Sequence, residues 1–176
     1  MLGLRTSRWF GCRLERQEEY EDAALLYRHA LSIMNRTLGE MNPETLTGLS
    51  DLALVTEKMG DYETAENMYH ELVSKREKVL GPDHLETLTA MFDRGRVLVN
   101  IGKFDDAEEM LRRALTGKNK ILPNEHIEIH LCARYLVGLL EFRGKMEEAE
   151  PLIHGFRFES HSLSIISFLD EGQGQS

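Results

Sequence analysis

Laid against itself, the chain matches at an offset of 42 residues, and a period of that length confines the fold to a stack of like units before any single residue is weighed. Tyr20, Tyr62, Phe104 and Met146 fall in one register, as do Ala23, Ala65, Ala107 and Ala149, and Leu38, Leu80 and Leu122. Gly60, Gly102 and Gly144 share a place held by Glu18 in the first unit. A unit this short cannot bury a core alone, so each must pack on its neighbours. We therefore expect an array of four repeats over residues 1–158, the first incomplete, and a divergent C-terminal tail over 159–176.

Each unit carries the periodicity of two helices. In the second unit Leu46, Leu49, Leu52, Ala53, Thr56 and Met59 recur every three to four positions, the spacing of one helical face, and define a helix A over 45–59. Ala65, Met68, Tyr69, Leu72, Val73 and Val79 define a longer helix B from Tyr62 to about Leu80. Asn42 followed by Pro43 is a helix start, and Asp83 with Glu86 reads as a capping box for the next A helix. The A-to-B reversal needs a residue at positive φ, which the three register glycines supply at least cost. The alanines let the two helices approach closely, and Tyr27, Tyr69, Leu111 and Ile153 fill the space between layers.

The segments Gly60-Asp61-Tyr62-Glu63-Thr64-Ala65 and Gly102-Lys103-Phe104-Asp105-Asp106-Ala107 resemble the glycine, aromatic, alanine signature of the tetratricopeptide repeat. With the linkers Leu38-Gly39-Glu40-Met41-Asn42-Pro43-Glu44-Thr45-Leu46 and Leu80-Gly81-Pro82-Asp83-His84-Leu85-Glu86-Thr87-Leu88, the 42-residue period is similar to the kinesin-light-chain-like subclass. That resemblance implies an all-α, right-handed solenoid of antiparallel helix pairs whose A helices line a peptide-binding groove. The subclass's paired asparagines on helix A are replaced here by Ser50-Asp51, Phe92-Asp93 and Arg134-Tyr135, so cargo specificity and a motor role do not carry over.

The chemistry of the chain points away from catalysis. A net charge of -9 disfavours holding phosphate backbones, and no apolar run reaches the roughly 18 residues of a membrane span, so we expect neither nucleic acid nor membrane as partner. Cys12 and Cys132 lack any paired spacing, which suits a reducing, cytoplasmic compartment. His126 and His130 have the spacing of two metal ligands, but His126 is the register equivalent of the linker residue His84 and no third ligand is indicated. His29, His70, His154 and His161 read as surface residues. Acid pairs such as Asp105-Asp106, Glu108-Glu109 and Glu147-Glu148 recur at the starts of B helices, where they complement the macrodipole. Phosphate loop and nucleophile motifs are missing, and we expect no cofactor, no metal and no enzyme.

The expected function is a protein-interaction scaffold that binds a peptide or partner helix, of acidic character, in the groove. The candidate contact residues are Arg8, Ser50, Leu54, Phe92, Arg96, Asn100, Arg134 and Phe142 on the A helices, with Glu57 and Val99 on the same faces. Trp9 and Tyr135 are either contacts or fillers between repeats. Two alternatives are a sensor or oligomerisation fragment of a larger signalling NTPase and an enzyme with an unrecognised site. Residues 1–14, with Arg5, Arg8 and Arg13 and no acid, have the composition of a targeting presequence, but the register assigns them to the first helix of the array. Neither end offers a polar capping repeat, so we also expect self-association through the ends, and we expect the repeat to fail near residue 157.

Overall fold

The computed structural model describes residues 19–156. Seven helices are found among them: α1 (Tyr20–Thr37), α2 (Pro43–Lys58), α3 (Tyr62–Leu80), α4 (Leu85–Asn100), α5 (Phe104–Ile121), α6 (Ile127–Phe142) and α7 (Met146–Phe156). The fold is all-α and of tetratricopeptide type: α1, α3, α5 and α7 are B helices, α2, α4 and α6 are A helices, and within each set the starts lie 42 residues apart. The chain divides into two compact units, residues 1–90 and 91–176, so α4 contributes 85–90 to the first and 91–100 to the second.

In the first unit α2 packs against both α1 and α3. Ala23, Ala24 and Tyr27 of α1 meet Leu52 and Val55 of α2, with Tyr20, Leu31 and Met68 around them. Each fully buried large apolar side chain here contributes about 1.5 to 3 kcal/mol. Two residues of the expected stripes lie elsewhere. Met59 is the C-cap of α2 and is 44% exposed, because the helix stops at Lys58. Val79 is 37% exposed because α3, with 19 residues, overhangs the 16-residue α2 it runs against.

In the second unit α6 packs against both α5 and α7. The register alanines Ala107 and Ala149 are fully buried, and Leu111 and Ile153, one turn further along their helices, are buried as well. Leu111 also presses on α4, where a Cβ placed on Gly95 would stand 2.9 Å from its branched end.

The turns repeat as closely as the helices. Gly60, Gly102 and Gly144 have φ of 80°, 77° and 72°, as their register demands. The N–H groups of Asp61, Lys103 and Lys145 return to the carbonyls of Thr56, Leu98 and Leu140, so each A helix ends in a Schellman motif. At the opposite end Asn42 Oδ1 accepts the Glu44 N–H at 2.9 Å, with Pro43 opening α2. The expected capping box of Asp83 and Glu86 does not form. His84 occupies the place of Asn42 in the register, and its Nδ1 accepts the Glu86 N–H at 3.2 Å. His126 Nδ1 does the same for Glu128 N–H at 3.3 Å.

Candidate functional site

The second unit gathers aromatic and cationic side chains between α4, α5 and α6. Phe92 and Arg96 are one turn apart on α4, which places them on one face. The Phe92 ring meets Tyr135 of α6 edge-on at 5.4 Å. The Arg96 guanidinium lies 5.7 Å from the Phe92 centroid and 5.9 Å from that of Tyr135, within cation–π range of both. Asp93 accepts from Arg96 at 3.4 Å. Behind Phe92 stands Lys118 of α5, 1% exposed, with Nζ 5.4 Å from the ring centroid and 2.8 Å from Glu128 Oε2. Each of these two cations is therefore matched by a carboxylate, and a ligand acid would share Arg96 with Asp93.

Only part of the anticipated constellation is brought together. Phe92 and Arg96 meet as described. Arg134 lies half-buried on α6, and Asn100 and Phe142 are the last residues of α4 and α6. Phe142 is 50% exposed, and its ring packs 5.2 Å from Phe104 rather than on Phe92. Ser50 and Leu54 are half-buried on α2 in the first unit. Arg8, Trp9 and Glu18, like the whole of the tail beyond residue 158, lie outside the described residues. Glu57 and Val99 are corrected: both are buried, at 7% and 6%, and Glu57 accepts the Tyr69 hydroxyl at 3.3 Å instead of facing outward.

The sequence reading missed Ile127 and Leu131, which are 66% and 38% exposed. With Arg134 and Phe142 they follow a helical i, i+4, i+7, i+15 spacing and so share one face of α6. The register carried the signal, since Leu131 is equivalent to Thr47 and Thr89, where the earlier A helices have polar, half-buried residues.

The remaining chemical candidates have structural work. His126 caps α6, and His130 meets Phe156 edge-on at 5.6 Å. Among the described residues no three of His, Cys, Asp or Glu form a group that could hold a metal ion. Cys132 is fully buried, and burial pushes its thiol up to about 12, which keeps it protonated and unreactive near neutrality. Glu108 does more than face the helix dipole. It is 9% exposed and accepts from Arg112 at 3.0 Å, Arg143 at 2.7 Å and Lys145 at 2.8 Å, which pins the α6–α7 turn onto α5. Among the described residues no helix is long and apolar enough to cross a membrane.

Helix pairs with small residues at their crossings, glycine reversals and a fixed repeat define a class of stacked helical-repeat proteins. The tetratricopeptide repeat model matches residues 12–74 and 44–120, and the chain belongs to that family. Its fold is of the kinesin-light-chain-like type. It is similar to the nearly identical TPR-like repeats of a Podosopora anserina kinesin-light-chain-type protein, with 21% identity and a TM-score of 0.81 over 98% of this chain and 87% of that one. BtubC (BKLC) from P. vanneervenii is similar at 16% identity and a TM-score of 0.80, over 98% of this chain and 65% of that one. The apo form of RapI is similar at 12% identity and a TM-score of 0.79, over 97% and 58%. Comparison with curated proteins finds no match. Tetratricopeptide repeat proteins are in general non-enzymatic interaction scaffolds, and the fold supports that role here.

Proposed function

We propose that the chain is a protein-interaction scaffold that holds a peptide or partner helix on the α4 and α6 faces of the second unit. The supporting observation is the exposed apolar set Ile127, Leu131 and Phe142 on one face of α6, beside an α4 whose Phe92 and Arg96 are fixed by Tyr135 and Asp93. Large apolar side chains held in water on an ordered helix are anchors for another chain's apolar residues. Arg134 and Arg96 would receive a carboxylate of the ligand, and Asn100 a peptide group. Because Asp93 already offsets Arg96 and the whole chain carries -9, apolar contact supplies more of the affinity than charge does.

The test begins with a partner isolated by pull-down and titrated against single variants. Arg96→Ala, Arg134→Ala and Leu131→Ser should each weaken it by about 1 to 3 kcal/mol, while Glu63→Ala on the first turn of α3 should change almost nothing. Equal losses from all four, or none from any, would place the binding surface elsewhere.

A further inference from the structure

We propose that the starts of α4 and α6 are acid-labile latches, because each is capped by a histidine that must be neutral to cap. An N-cap side chain has to accept a backbone N–H. His84 and His126 do so through Nδ1, at 3.2 and 3.3 Å, so their imidazoles are in the Nε2–H tautomer. Protonation removes that lone pair. It also puts a cation at a helix N-terminus, where the unpaired amides already carry partial positive charge. Imidazole is the side chain that changes charge between about pH 5 and 8.

The first-turn acids beside the two histidines are already engaged by cations. Beside His84 stand Asp83 and Glu86 of its own segment and Arg76 of α3, whose guanidinium holds the Glu86 carboxylate at 3.3 Å. Beside His126 stand Glu125, Glu128 and His130 of its own segment and Lys118 of α5, which holds Glu128 at 2.8 Å. In both places the acid in the first turn is committed to a buried cation. At the third equivalent place Asn42 makes the same bond, and its backbone, φ -69° and ψ 135°, matches His126 at -70° and 132°. The chain thus carries an acid-insensitive version of its own latch.

These helices carry Phe92, Arg96, Leu131 and Arg134, so acid would loosen the binding face proposed above. That consequence rests on the proposed function; the latch does not. Exchange protection of the Glu44, Glu86 and Glu128 amides, corrected for intrinsic rates, and the melting temperature are followed in the full chain near pH 7.5 and near pH 5.5. Protection at Glu86 and Glu128 should fall several-fold on acidification and the melting temperature by a few degrees, with Glu44 unchanged. In the His84→Asn/His126→Asn variant both responses should vanish. An equal acid response in that variant, or an equal loss at Glu44, would overturn the latch. Neither readout uses a ligand, so the latch and the binding face can fail separately.

Discussion

Lys118 donates to Glu128 across 2.8 Å from a position 1% exposed, in the register place that Arg76 and Glu86 occupy one repeat earlier. Both pairs join a B helix to the first turn of the A helix that follows, which fixes the two against each other. The first repeat has Met34 at the cation's place, with its Sδ 3.1 Å from where a Cβ on Gly48 would be. An apolar side chain of similar length therefore fits this site.

The two halves of this pair differ in what they leave behind. Removing Lys118 leaves a Glu128 side chain that is 35% exposed and reachable by water, whereas removing the Glu128 charge strands a buried ammonium. Glu128→Gln should cost about 3 kcal/mol and Lys118→Met about 1 kcal/mol or less in denaturant melts. A larger loss from Lys118→Met would contradict the asymmetry.

Glycines in this chain do two different jobs, and alanine substitution separates them. Gly102 stands at φ 77° in open space, so Gly102→Ala should lose about 1 kcal/mol through backbone strain alone. Gly95 lies inside α4, where propensity favours alanine by about 1 kcal/mol. Yet the added methyl would press on fully buried Leu111 at 2.9 Å, and Gly95→Ala should be net destabilising. Melting temperatures of the two variants decide it, and a more stable Gly95→Ala protein would show that Leu111 can move aside.

Burial acts to raise the Glu108 carboxyl, but hydrogen bonds from Lys145 and Arg112 outweigh it and hold the group below its ordinary 4.5. A depressed carboxyl stabilises the fold fully above its unfolded value, and the contribution is lost as pH falls through the lower folded value. Glu108→Gln should therefore cost about 1 to 3 kcal/mol at neutral pH. The gap to the parent protein should close as pH drops below about 4.5. A gap of constant size from pH 7 to 3 would mean that the carboxylate's charge is not what pins the α6–α7 turn.

The period made the fold legible. Helix starts at Tyr20, Tyr62, Phe104 and Met146 and glycine turns at Gly60, Gly102 and Gly144 follow from a unit that must close on itself identically each time. The ionic interior was less legible. Arg76 and Lys118 sit where a sequence reading expects solvated charge, and only their equivalence to Met34 and their distance from Glu86 and Glu128 mark them as buried. Glu57 was misplaced for a similar reason, since the Tyr69 hydroxyl that draws it inward comes from the next helix. At the candidate site, Phe92 and Arg96 were found because side chains one turn apart on a helix must share a face. Phe142 stays half exposed, and its packing on Phe104 was not legible because the two rings lie on different helices.

The binding face is tested by selecting binders from a displayed peptide library on the intact chain. Each selected peptide is then titrated against two variants, Phe92→Ser/Leu131→Ser/Phe142→Ser and Leu25→Ser. Leu25 is 59% exposed on α1, in the first unit, and controls for loss of any surface apolar group. Apolar-anchored peptides should be selected that lose at least about tenfold in affinity, or 1.4 kcal/mol, on the triple variant and keep it on Leu25→Ser. Peptides that bind both variants as well as the parent chain, or a library that yields no binder, would contradict the proposed binding face.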